Sequence, residues 1–94
     1  MAKRKTAKIG SALQRKGFQK EETHHTYYYF IYNGKKTEIY TYLSHGKKDI
    51  SPYLRSKMAN QLKIKPEEFD KLIDCTMSED DLIIQYNERG LLDE

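Results

Sequence analysis

The sequence predicts a single α+β domain of order α-β-β-β-α, followed by two acidic helices. Three observations carry this. Residues 27–32 read Tyr-Tyr-Tyr-Phe-Ile-Tyr, a run of aromatic and β-branched side chains suited to a strand. Asn33-Gly34 follows at once, the dipeptide that a type I′ hairpin turn demands because both central residues need φ > 0. Ser51-Pro52, Lys65-Pro66 and Ser78-Glu79-Asp80-Asp81 then each open a stretch with helical spacing.

The first helix is predicted from Thr6, as N-cap, to Lys16, behind a short, mobile basic tail. Ile9, Ala12 and Leu13 form its apolar stripe, and Gly10 weakens it by roughly 1 kcal/mol relative to alanine. Gly17 is its stop, with Phe18 folded back over the last turn. The first strand enters through Glu22-Thr23-His24-His25-Thr26 and runs to Tyr32. The second returns through Thr37 to Leu43, and Ser44-His45-Gly46-Lys47-Lys48 follows. A two-residue turn pairs Tyr32 with Lys35, so a regular ladder sets His24 opposite Leu43 and His25 opposite Tyr42. All three histidines then gather at the open end of one hairpin. Alternation puts Tyr28, Phe30, Ile39 and Leu43 on one face with His24, and Tyr27, Tyr29, Tyr40 and Tyr42 on the other with His25.

A short third strand leads to the helix capped by Ser51, with Pro52 at its first position and Leu54, Met58, Ala59 and Leu62 on one face. The next helix opens at Lys65-Pro66-Glu67-Glu68 and turns Phe69, Leu72 and Ile73 inward. The last, capped by Ser78, carries Leu82, Ile83 and Tyr86 and stops at Gly90.

Ninety-four residues suffice for one domain with a small core. One cysteine, Cys75, excludes an internal disulfide framework. No apolar run nears the roughly 20 residues of a membrane span, and no signal-peptide pattern is present. A cytoplasmic protein without membrane contact is expected. Net charge is +3, but residues 1–20 carry +7, residues 21–66 carry +4 and residues 67–94 carry −8. The asymmetry predicts a nucleic-acid-binding face and a separate acidic face turned away from it.

The chemistry gathers around the hairpin. Tyr27, Tyr29, Tyr40 and Tyr42 form either a stacking platform for bases or an ordinary half-buried strand face. Lys35, Lys36, Lys47 and Lys48 are candidate phosphate contacts. Cleaving RNA without a metal needs a base for the 2′-OH proton, an acid for the leaving oxygen and cations for the phosphorane charge. Histidine serves as either acid or base near neutrality. Adjacent histidines on a strand diverge, so His24, His25 and His45 make a poor metal site; neither metal nor cofactor is expected.

In order, Gly17-Phe18, Thr23-His24-His25 entering a strand, the Asn33-Gly34-Lys35-Lys36 turn, Ser44-His45-Gly46-Lys47-Lys48-Asp49-Ile50 and a helix carrying Leu54 resemble the HicA-type mRNA interferase toxins of toxin–antitoxin systems. The resemblance covers roughly residues 6–64, and residues 65–94 form an acidic helical extension beyond it. It implies an α-β-β-β-α fold like a double-stranded-RNA-binding domain, metal-independent mRNA cleavage by one histidine, and a HicB-type antitoxin partner. A homodimer or a toxin–antitoxin hetero-oligomer is the assembly it suggests. The family's Gly-Ser-His entry corresponds to Glu22-Thr23-His24, which gives His24 the catalytic role; Thr23 keeps the hydroxyl and Glu22 replaces the glycine. His25 is a supporting candidate, and His45 either a second acid/base or a structural residue. The alternative is a non-catalytic RNA- or DNA-binding module using the same basic face and tyrosines, and a third reading is a protein-interaction domain working through the acidic helices.

Overall fold

In a computed structural model, described here for residues 4–44, 46, 48–74 and 76–92, a three-stranded antiparallel sheet is covered on one face by four helices. The elements are β1 (Arg4–Lys5), α1 (Thr6–Arg15), β2 (Phe18–Glu22), β3 (Thr26–Tyr32), β4 (Lys35–Leu43), β5 (Asp49–Ile50), α2 (Pro52–Gln61), α3 (Pro66–Ile73) and α4 (Glu79–Glu88). The fold is α+β, as expected. His45, Lys47 and Cys75 lie outside the described residues.

The third strand of the sheet is not the one anticipated after the hairpin. It is β2, which pairs along β3 from Phe18↔Phe30 to Glu22↔Thr26 and gives the order β2-β3-β4. Its Gln-Lys-Glu-Glu composition lacks a strand signal because an edge strand carries charge on purpose, to discourage pairing with other chains. The short strand β5 instead pairs with β1, through Arg4↔Ile50 and Lys5↔Asp49, so residues 4–5 are part of the fold rather than a mobile tail. Thr6 is the first helical residue, not the cap. Its N–H and its hydroxyl both donate to the Lys48 carbonyl, at 2.8 and 3.2 Å, which ties the start of α1 to the chain before β5.

The hairpin turn forms as its dipeptide requires, with φ +53° at Asn33 and +75° at Gly34. Near the turn the register is Tyr32↔Lys35 and Ile31↔Lys36; beyond an irregularity it becomes Tyr29↔Tyr40, Tyr27↔Tyr42 and Thr26↔Leu43. His24 and His25 therefore do not pair with Leu43 and Tyr42. The slip is two residues, and an even slip preserves the alternation. Tyr28, Phe30, Ile39, Thr41 and Leu43 all point into the core.

That core is continuous across the chain. Ile9, Ala12 and Leu13 of α1, Met58 and Ala59 of α2, Phe69, Leu72 and Ile73 of α3, and Leu82 and Tyr86 of α4 join Phe18, Tyr28 and Phe30 in one cluster. Phe30 sits at its centre, tilted against Phe18 at 5.1 Å and edge-on to Tyr86 at 5.3 Å. The Tyr86 hydroxyl donates to the Leu62 carbonyl at 2.7 Å, satisfying the one polar atom that this ring buries. Gly10 has a packing reason: a Cβ there would collide with the Tyr28 hydroxyl.

Two acids of α3 and its C-terminal cap meet basic side chains of α1 and α2. Arg55 on α2 grips Asp70 on α3 through two bonds of 2.9 and 2.7 Å, Lys8 lies 3.7 Å from Asp74, and Lys16 donates to the Met77 carbonyl at 2.9 Å. Opposite charges meet across the helical layer, so part of the sequence's asymmetry is neutralised inside the fold. Among the described residues, no helix is long and apolar enough to cross a membrane.

Candidate functional site

The sheet face opposite the helices carries the tyrosines. Tyr27 and Tyr29 on β3 stand beside Tyr42 and Tyr40 on β4, with ring centroids 5.2–6.1 Å apart. The rings stack on one another: Tyr27 on Tyr29 at 5.9 Å and 16°, Tyr29 against Tyr40 at 5.2 Å and 28°. Lys36 lies over Tyr29 at 4.6 Å and Lys57 over Tyr42 at 5.8 Å, placing a cation at either margin. A ligand arriving from solvent meets these half-buried rings and their phenol hydroxyls. Tyr40 is the most open, at 40 % exposure. Such a surface offers hydroxyl donors to phosphates and base edges.

His24 and His25 occupy the three-residue connection between β2 and β3, tightened by a bond from the Thr23 N–H to the His25 carbonyl at 3.0 Å. Both are thus at the end of the sheet where β4 finishes, though on a β2–β3 turn rather than on a strand of the hairpin. The two rings part company there. His24 is exposed to solvent. His25 folds over the tyrosine face, stacked on Tyr42 at 5.2 Å and 28° and tilted to Tyr27 at 6.1 Å, with its Nδ1 buried and without a hydrogen-bond partner among the described residues.

The candidate lysines do not form one cluster. Lys35 and Lys36 sit at the hairpin turn, the seven residues of β3 away from His24, roughly 20 Å at the rise of a strand. Lys36 is also engaged: its ammonium donates to Glu21 on β2 at 2.7 Å, a bond that raises its pKa. Gln19 donates to the same carboxylate at 3.0 Å, so Glu21 is held from two sides at the edge of the tyrosine face. Lys48 is exposed next to the start of α1.

Beside the histidine loop lies an open cleft of about 240 Å³ between the first turn of α1 and the end of the sheet. Thr6, Lys20, Glu22, Thr26, Tyr28 and Ser44 line it. Burial pushes the Tyr28 hydroxyl's pKa up, and the nearby Glu22 carboxylate adds to the shift. Lys20 is a cation with nothing in the sequence to single it out, since the strand bearing it carries no strand signal. Lys57 was equally hidden, because only the packing of α2 beside β4 brings it over Tyr42. Among the described residues no three His, Cys, Asp or Glu side chains are grouped to hold a metal ion.

Compared with known proteins, the chain matches no family model, no curated protein and no solved structure at a significant level.

Proposed function

We propose that this protein is a metal-independent endoribonuclease, the toxin of a toxin–antitoxin pair of the HicA kind, with His24 as the group that moves the proton. The observation that carries the reading is the pairing of an exposed imidazole, His24, with a tyrosine face that begins at its neighbour His25. RNA laid across that face meets phenol hydroxyls and the margin cations Lys36 and Lys57, while its backbone passes the loop where His24 is free to reach it.

In the proposed step, His24 takes the proton of a ribose 2′-OH. The 2′-oxygen attacks the adjacent phosphorus, the bond to the 5′-oxygen breaks, and the leaving oxygen takes a proton from water, whose hydroxide recovers the proton held by His24. The products are a 2′,3′-cyclic phosphate and a 5′-hydroxyl. Lys20, which lines the cleft, and the exposed Lys48, whose carbonyl holds the start of α1, are the cations proposed to offset the charge that builds on the phosphorus oxygens. His45 and Lys47 remain candidates from the sequence. A HicB-type antitoxin would silence the enzyme by covering this end of the sheet.

The test is incubation of purified protein with mRNA, with and without EDTA, followed by end-group analysis. Cleavage that survives EDTA, spares DNA and leaves 2′,3′-cyclic phosphate supports the reading. Binding without cleavage would leave a non-catalytic RNA-binding module, and cleavage abolished by EDTA would rule out the histidine mechanism.

A further inference from the structure

On the helical layer, the α2–α3 turn and the end of α4 enclose an open cleft of about 400 Å³. Asn60, Lys63, Lys65, Gln85 and Arg89 line it together with Glu68, and no residue of the tyrosine face does. Two of its cations stand where local helix chemistry asks for something else.

Lys63 follows the C-cap of α2 with φ +62°; its N–H bonds the Asn60 carbonyl at 3.1 Å, and the Ile64 N–H closes on the Ala59 carbonyl at 3.0 Å. That is the turn position glycine normally fills, because a Cβ is unfavourable at such a φ. The Lys63 carbonyl accepts a hydrogen bond from the Arg89 guanidinium, which glycine would allow equally. Lys65 is the N-cap of α3, where an acceptor side chain and negative charge are favoured and an ammonium offers neither.

Neither lysine nor Arg89 forms an ion pair among the described residues. The one carboxylate in the cleft, Glu68, is already engaged by the Lys65 backbone N–H at 2.8 Å and the Gln85 amide at 3.3 Å. The fold therefore gains nothing visible from either ammonium. Local rules broken twice within three residues, with both side chains converging on one cleft and a guanidinium beside them, point to a role outside the fold.

We propose that this cleft binds a phosphate group, held by Lys63, Lys65 and Arg89, with the amides of Asn60 and Gln85 as further donors. The planar fork of Arg89 suits two phosphate oxygens, and the lysines supply point charge. The proposal does not depend on the ribonuclease reading and stands if that reading falls.

The experiment is an NMR titration of the full chain with sodium phosphate against sodium chloride at matched ionic strength, then with a 2′-O-methylated oligoribonucleotide that cannot be cut by 2′-OH attack. Phosphate is expected to give saturating shifts confined to residues 60–65 and 85–89, which chloride does not. Saturation there with the oligonucleotide alone would identify the phosphate as that of a polymer backbone and still support the site. Lys63→Gly should raise the unfolding midpoint, since glycine suits φ +62°, while weakening phosphate binding roughly tenfold, as loss of a charge-assisted contact implies. Opposite signs in the two readouts separate function from folding. Arg89→Gln should weaken binding similarly and serves if the first variant fails to fold. Non-saturating shifts spread over all lysines, or binding unchanged in both variants, would overturn the proposal.

Discussion

The Thr37 hydroxyl donates to the Phe30 carbonyl at 2.8 Å and accepts from the Ile39 N–H at 3.2 Å, so one side chain holds the irregularity that resets the register of the sheet. Opposite Phe30 the strand β4 spends Thr37, Glu38 and Ile39 between the pairs Ile31↔Lys36 and Tyr29↔Tyr40. Two extra residues on one strand move every later partner by two. That is why Thr26, and not His24, faces Leu43. Pushed two positions back, the histidines fall beyond the strand and into the loop.

Thr37→Val keeps the shape of the side chain and removes both bonds. The Phe30 carbonyl and the Ile39 N–H lose their partner at a part-buried site, so about 1–3 kcal/mol of stability should be lost. Urea unfolding measures this; Thr37→Ser should recover most of it. A valine variant as stable as the parent would show that the bulge is held by packing alone.

Gly10→Ala tests which of two effects wins. In an exposed helix the change would add up to about 1 kcal/mol. Here the new methyl meets the buried Tyr28 hydroxyl, and the ring carbon behind it lies only 3.1 Å away. Tyr28 is 4 % exposed and its ring is rigid, so it has little room to yield. The expected outcome is a lower midpoint, by about 1–3 kcal/mol as for other overpacked cores. Adding Tyr28→Phe should restore part of the loss, because it removes the atom in closest conflict.

The two loop histidines should separate in their effects. His24→Ala removes an exposed ring and should shift stability by less than about 0.5 kcal/mol while abolishing RNA cleavage. His25→Ala removes the ring stacked on Tyr42 and should cost about 0.5–1.5 kcal/mol, with weaker RNA binding and cleavage retained at saturating RNA. Thermal unfolding and single-turnover cleavage read the two quantities independently. Cleavage surviving in the first variant and absent in the second would move the catalytic position by one residue.

Stability at low pH should fall partly through the start of α4. The Ser78 N–H donates to the Asp81 carboxylate at 2.9 Å and the Asp81 N–H donates back to the Ser78 hydroxyl at 3.1 Å. Hydrogen bonding from Ser78, from its N–H first, holds the Asp81 carboxyl below its ordinary range, with Lys16 adding a smaller pull. A folded pKa below the unfolded one gives a contribution that is full above the unfolded value, about 4, and is lost as pH falls through the folded value. Asp81→Asn removes that dependence. Its deficit against the parent should be widest near neutrality and shrink in acid, as followed by unfolding midpoints across pH. A deficit constant from pH 7 to 2 would show that the charge on Asp81 contributes nothing.

Much of this fold is legible without coordinates because its signals are short-ranged. Asn33-Gly34 dictates a turn through φ alone, Ser51-Pro52 and Ser78 with Asp81 begin helices through bonds spanning three residues, and period-two alternation sorts Tyr28 and Phe30 from Tyr27 and Tyr29. An even register slip left that sorting intact. The tertiary structure alone decided the rest. Phe18–Glu22 is a strand only because β3 offers it a ladder, and its charged residues are tolerated only because it is an edge. The acidic helices meet the basic ones because Asp70 finds Arg55 fifteen residues earlier in the chain. Lys57 and His25 reach Tyr42, and Arg89 reaches Lys63, across separations that no local rule spans. Turn, cap and alternation depend on the energy of a few neighbouring residues; partners distant in the chain are chosen by the shared burial of one core, which exists only when the whole chain has folded.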